Sequence, residues 1–198
     1  MRAKDLISTR NDHRSQTGRR PLLLVDIDGV ISLFARDPSR AAVRAGALGN
    51  DSAARPAAEG ALHSIDGILH YLSATAAGHL LALTRVFDLV WASGWEEKAD
   101  EYLPHLLGVP AGLPFLRFAP AARRGSAGGL SVAAHWKLDA VDAYAGDGAL
   151  AWIDDAFNDA CHAWAAARAA PTLLVPTVPE RGLSEAEALQ LEAWAARL

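Results

Sequence analysis

The sequence predicts a three-layer α/β fold, with a mostly parallel five-stranded sheet and helices on both sides. Three observations carry this expectation. Leu22-Leu23-Leu24-Val25 is an unbroken apolar run that ends in Asp26-Ile27-Asp28-Gly29. A second run, Leu150-Ala151-Trp152-Ile153, ends in Asp154-Asp155. Between them, the segment from Phe87 to Ala92 reads as a buried strand that closes on Ser93. Short continuous apolar runs mark strands buried on both faces of a parallel sheet. Such sheets bind ligands in the crevice beyond the carboxyl ends of their strands, where these polar residues fall.

The chain opens on a basic segment. Arg2, Lys4, Arg10, Arg14, Arg19 and Arg20 face only Asp5 and Asp12, so residues 1–20 carry +4 against a total of −4, leaving about −8 for the rest. This segment lacks apolar periodicity and reads as a disordered tail. Arg19-Arg20 before three leucines has the look of an export signal, but the apolar run is too short and Asp26 interrupts it.

The first strand starts near Leu22. Alternating geometry turns Asp26 and Asp28 to the same side at its end. Burying a strand that ends in two acids is costly unless a cation or a reaction uses them. A calcium loop also has Asp-x-Asp spacing, but Val30-Ile31-Ser32-Leu33-Phe34 follows here in place of further oxygen ligands. Residues 31–73 read as a small flap, with short strands about Asp66 to Tyr71 and an Ala-, Arg- and Gly-rich stretch from Arg36 to Ala61. The second strand starts near Leu89. Its Ser93 hydroxyl can donate a hydrogen bond beyond the strand end, or it can cap a helix ahead of Glu96.

A third strand is expected near Leu113, in Leu113-Pro114-Phe115-Leu116-Arg117-Phe118, followed by the glycine-rich run from Arg123 to Gly129. That run lacks the lysine and helix of a P-loop. Lys137 then opens an amphipathic helix with Leu138, Val141 and Ala145 on one side. Only three lysines occur; of the other two, Lys98 lies among Glu96, Glu97 and Asp100. The fourth strand starts near Leu150, and Asp159 follows Asp155 by one helical turn. Helix capping explains one aspartate of Asp154, Asp155 and Asp159, not three. A fifth strand starts near Leu173. Ser184-Glu185-Ala186-Glu187 is a capping box that opens a helix burying Leu189, Trp194 and Leu198 or their neighbours.

The 198 residues suit one domain over 21–198, and a hydrophobic share of 51% supplies a core. No stretch reaches the roughly 20 apolar residues of a membrane span. The one cysteine, Cys161, excludes an intrachain disulfide and is consistent with a cytoplasmic protein. Beside His162 it reads as a packed thiol, because neighbours on a helix point in different directions. Trp95 and Trp136 are the tryptophans nearest the motifs.

In order, Asp26-x-Asp28-Gly29-Val30, Ser93, Lys137 and Asp154-Asp155-x-x-x-Asp159 resemble the four motifs of the haloacid dehalogenase (HAD) superfamily. The resemblance spans Leu22 to Asp159. It implies a Rossmannoid core with a small flap in place of a full cap, and a magnesium-dependent phosphatase. It further implies that Asp26 is the nucleophile, that Asp28 is acid and base, and that Ser93 and Lys137 stabilise phosphoryl oxygens. Mg2+ would be held by Asp26, the Asp28 carbonyl and Asp155. Asp154 and Asp159 would orient the metal shell, with direct ligation by Asp154 or Asp155 left open. The second aspartate of the first motif favours phosphate esters over carbon–halogen bonds. The contexts Trp-Ala-Ser-Gly-Trp at 91–95 and Trp-Ile-Asp-Asp at 152–155 also resemble HAD domains of bacterial RNA-repair proteins. The implied partner is a phosphorylated small or medium-sized substrate. The alternatives are the phosphorylated end of a nucleic acid, which the acidic body opposes, or a non-catalytic binding or regulatory role on the same scaffold.

Overall fold

The computed structural model describes residues 20–34, 59–119 and 135–198. Residues 1–19 of the basic tail, 35–58 of the flap stretch and the glycine-rich run 123–129 lie outside the described residues. Four strands form a parallel sheet: β1 (Leu22–Val25), β5 (Asp88–Trp91), β6 (Leu150–Asp154) and β7 (Thr172–Pro176), in the order β5-β1-β6-β7. A small antiparallel sheet has the order β2-β4-β3, from β2 (Ser32–Leu33), β3 (Gly60–Ile65) and β4 (Ile68–Ser73). Among the described residues there are five helices: α1 (Ala74–Leu83), α2 (Glu97–Leu107), α3 (Leu138–Ala145), α4 (Asp159–Ala167) and α5 (Glu185–Ala195).

Alternation along each parallel strand builds two cores. Leu23, Val25, Leu89, Trp91, Ala151 and Ile153 face one side, where Leu80 and Leu83 of α1, Leu103 of α2 and Leu191 of α5 complete the packing. Leu24, Val90, Leu150 and Trp152 face the other, against Val141 of α3 and Cys161 of α4. The central strands β1 and β6 are therefore apolar up to Asp154, the last residue of β6, as burial on both faces requires. Truncating Leu23 to alanine would cost about 2–5 kcal/mol.

The strand expected near Leu113 is a correction, whereas the one expected near Leu173 forms as β7. Near Leu113 the chain makes one parallel bridge, Phe115 beside Trp91, and no ladder. The Trp91 N–H donates to Pro114 O, and Leu116 N–H donates to Trp91 O. Pro114 has no N–H of its own and β5 ends at Trp91, so pairing stops there. The flap strands are present. Their two-residue turn is Asp66-Gly67, with φ of +51° and +79°, as a hairpin turn whose twist matches its strands needs. Arg20, the last residue of the basic segment, is tied down by Asp88 at 2.9 Å and the Thr84 carbonyl at 2.6 Å.

The capping box at Ser184 forms: Glu187 accepts from the Ser184 backbone N–H at 2.9 Å. The buried face of α5 is Ala188, Leu191 and Trp194, whereas Leu189 and Leu198 are exposed. Spacing by three residues from Trp194 leads to Leu191 and not to Leu189. Cys161 is buried, and burial pushes its thiol pKa up. No helix among the described residues is long and apolar enough to cross a membrane. Ser184→Ala removes one half of the capping box. It should cost about 1 kcal/mol and lower Tm by about 2–4 °C in a chain of this size. Thermal unfolding of the variant checks this, and an unchanged Tm would show that the box contributes nothing.

Candidate active site

The site is assembled where β1 and β6 end side by side. The two strands run in register, Val25 beside Ile153, and the Asp26 N–H donates to Ile153 O at 3.0 Å. Asp26 and Asp154 therefore leave neighbouring strands at the same level, although both are buried. Between them lies the ammonium of Lys137, also buried, with Nζ 2.6 Å from Asp26 Oδ2 and 2.7 Å from Asp154 Oδ2. Lys137 sits at the N-cap of α3, whose Val141 and Ala145 anchor it in the core.

The remaining oxygens have assigned partners. Asp26 Oδ1 accepts the Ile27 N–H at 2.8 Å. Asp154 Oδ1 accepts the Ala156 N–H at 3.1 Å and faces His135 Nε2 at 3.7 Å, an ion-pair distance rather than a hydrogen bond. The Lys137 backbone N–H donates to His135 Nδ1 at 3.3 Å, which turns the other ring nitrogen, Nε2, toward Asp154. Ser93 is buried after β5, and its Oγ has no hydrogen-bond partner among the described residues. It does not cap α2, whose N-cap is Glu96.

Gly29 is forced by two constraints. Its φ is +73°, and a Cβ there would lie 2.4 Å from Asp155 Oδ2. Asp155 is only half-buried and packs over this glycine. Behind it, buried Thr177 donates from Oγ1 to Gly29 O at 2.9 Å, fixing the turn. Together Asp26, Asp28, Ser93, Gly94, Trp136, Lys137, Asp154, Asp155 and Ala156 line a cleft of about 210 Å3. Asp159 is the first residue of α4 and is exposed, outside this lining. The cap of α4 is Asn158, accepting from the Cys161 N–H. Lys98 is exposed and paired with Asp66.

Electrostatics set these groups apart. Burial raises Asp26 to about 7; Lys137 pulls it down and Asp154 adds to the rise. Burial alone would lower Lys137, but Asp26 and Asp154 outweigh it and hold its pKa above the ordinary value. Burial would raise Asp154, but His135 and Lys137 outweigh it and hold its pKa low. Burial, then Asp154, raises Asp155. Asp26, Asp154 and Asp155 each offer an oxygen within 4.8 Å of the others, a cluster that could hold a metal ion. Three carboxylates share one ammonium, so a further cation is the natural complement.

Sequence reading brought together Asp26, Asp28, Ser93, Lys137, Asp154 and Asp155. It assigned no role to His135, His70 or Thr177. Thr177 had a signal, since it follows a parallel strand at the same end as the other site residues. His135 had only its place two residues before Lys137.

The raised Asp26 pKa has a sign that can be tested. Unfolded, the group ionises near 3.8; folded, near 7. The folded state thus holds the proton more tightly, and the metal-free protein loses stability from this group as pH rises from about 4 to 7. Asp154, held low, has its contribution complete above 3.8 and does not oppose this. In chelator, Asp26→Asn should therefore gain in Tm over the native chain between pH 5 and pH 8. A Tm difference that stays constant with pH would remove the assignment.

No family model, no curated protein and no solved structure matches this chain.

Proposed function

We propose that the chain is a HAD-type phosphohydrolase, which cleaves phosphate monoesters through an aspartyl-phosphate on Asp26 with Mg2+ as cofactor. The observation that supports this most is the strand-end cluster. Two buried carboxylates grip one ammonium, a third lies beside them, and an unpartnered serine hydroxyl faces the same cleft.

The donor set fits the metal. All three clustered side chains offer carboxylate oxygens and none is Cys or His, the choice of a hard cation. Both oxygens of Asp154 are engaged, by Lys137 and by the Ala156 N–H, whereas Asp155 is only half-buried and lines the cleft. Asp26, Asp155 and the Asp28 carbonyl would hold Mg2+, and Asp154 would orient Lys137. Bound there, the ion would neutralise carboxylate charge and polarise a phosphoryl oxygen.

The protein's own groups do the rest. Asp26 attacks phosphorus, the bond to the leaving oxygen breaks, and Asp28 gives that oxygen its proton. Asp28 then takes a proton from water as the water attacks phosphorus and frees Asp26. Ser93 Oγ donates to a phosphoryl oxygen, and Lys137 offsets the equatorial charge. The cleft of about 210 Å3 is smaller than the roughly 300–1,000 Å3 that encloses a whole small molecule. It takes the phosphoryl head, and the rest of a small or medium-sized ester stays outside.

Asp26→Asn should retain less than about 1% of phosphate release from 4-nitrophenyl phosphate while keeping its fold by circular dichroism. An amide is nearly isosteric but a poor nucleophile. Native protein should need Mg2+, stop in excess chelator, and require more Mg2+ once Asp155 is alanine. Turnover that persists in chelator would refute the metal, and turnover that persists in Asp26→Asn would refute the nucleophile. A native chain inactive on all esters would favour a non-catalytic binding role.

A further inference from the structure

We propose that Trp95 and His70 are positioning residues for Asp28: together they fix one oxygen of its carboxyl and leave the other to carry the transferred proton. This rests on the phosphohydrolase reading and adds to it the residues that aim its acid.

Asp28 meets two side chains remote in sequence. Trp95 Nε1 donates to Asp28 Oδ2 at 3.1 Å. An indole N–H can only donate, so it favours Oδ2 as the unprotonated oxygen. Asp28 Oδ1 makes no hydrogen bond to the described residues. His70 Nδ1 lies 3.9 Å from it, beyond hydrogen-bond reach. That nitrogen is engaged by Ser32 Oγ at 3.0 Å, so it closes the flap side of Oδ1 without binding it. Oδ1 is thus the oxygen left to hold a mobile proton, and Asp28 lines the cleft.

The clamp is itself held. His70 meets the Trp95 ring edge-on, with centroids 4.8 Å apart, which fixes the indole. His70 belongs to β4, and the hairpin tip is moored where Asp66 accepts from Lys98 and from Tyr102 Oη of α2, the latter at 2.9 Å. Trp95 precedes Glu96, whose φ is +48° and whose carboxylate accepts the Phe118 N–H at 2.8 Å. A rare conformation held by its surroundings sits where a side chain must be aimed.

The proton balance uses Oδ1 twice. As Asp26 bonds to phosphorus, the ester P–O pair goes to the leaving oxygen and the Oδ1 proton joins it. Water then bonds to phosphorus and returns a proton to Oδ1, while the Asp26–phosphorus pair returns to Asp26. A carboxyl free to rotate would present either oxygen, or neither, to the leaving group.

The test is the dependence on leaving group. Trp95→Phe deletes the N–H and keeps the ring against His70. Turnover is measured on 4-nitrophenyl phosphate, whose leaving group departs without a proton, and on a simple alkyl phosphate, whose leaving group needs one. A hydrogen bond to a charged group is worth about ten- to hundred-fold. The alkyl ester should lose about that factor in kcat/KM, which reports the steps up to departure of the leaving group and not the shared attack of water, and the nitrophenyl ester less than about threefold. His70→Ala should shift the same ratio in the same direction, and His70→Asn, which keeps a polar atom near the Nδ1 position, should lie closer to native. The Mg2+-induced rise in Tm should match in all variants, showing an intact cleft; if Trp95→Phe fails to fold, the His70 pair decides. An equal loss on both esters would mean a merely structural role and overturn the proposal, as would no loss on either. If native protein hydrolyses neither ester, the phosphohydrolase reading falls and this falls with it.

Discussion

The site depends on one buried ammonium. Parallel strands lie about 4.8 Å apart, and the in-register pairing of β1 with β6 puts Asp26 and Asp154 at neighbouring strand ends, both out of water. Two like charges at that spacing repel, and each also bears a desolvation cost. Lys137 Nζ, within 2.7 Å of both, makes the arrangement tenable. Removing one partner of a buried pair costs about 3–5 kcal/mol, because the other charge is left uncompensated. The core packing of Val141 and Ala145 in α3, which sets the lysine in place, is therefore tied to the electrostatics of the sheet.

Lys137 offsets only part of the charge. Asp155 stands over Gly29 and belongs to the same carboxylate cluster. The turn from Asp26 to Ser32 is shaped for this crowding. Gly29 supplies a positive φ and the missing Cβ, the Ile31 and Ser32 N–H groups both donate to Ile27 O at 2.8 Å, and Thr177 holds Gly29 O from behind. Any larger residue at position 29 would drive Asp155 out of the cluster. The geometry thus concentrates carboxylate oxygens that could hold a metal ion, which supports the proposed metal-dependent reading over a purely structural one.

The strands and their polar ends were legible because burial on both faces leaves an unbroken apolar run, and because carboxylates after such runs have no cheap structural use. Ser93 and Lys137 were singled out only through the resemblance of the ordered motifs, since alone a serine after a strand reads equally as a helix cap. The lone bridge at Phe115 was not legible: an apolar stretch says nothing about whether its neighbour is long enough to pair. The face of α5 was misjudged at Leu189 because Ala188 counts as apolar only once its packing is known. His70 carries no local signal. It reaches Ser32 across 38 residues of chain and Asp28 only through the hairpin. Trp95 was noticed for its nearness to Ser93, but its bond to Asp28 spans 67 residues and follows from how β5 lies beside β1.

The two carboxylates of the first loop show how environment separates chemically identical groups. Asp26 is buried, pinned on both oxygens by a charged ammonium and a backbone N–H, and cannot turn. Asp28, two residues later on the same side, keeps 39% of its side chain exposed and is held by one neutral indole. On the proposed reading, a nucleophile gains from being fixed and desolvated beside the Lys137 ammonium. A proton carrier needs one oxygen held and the other open to both leaving group and water. Period-two spacing delivers the pair to one cleft, and Trp95 and the flap hairpin, by facing only the second, give them the different surroundings that the proposed roles need.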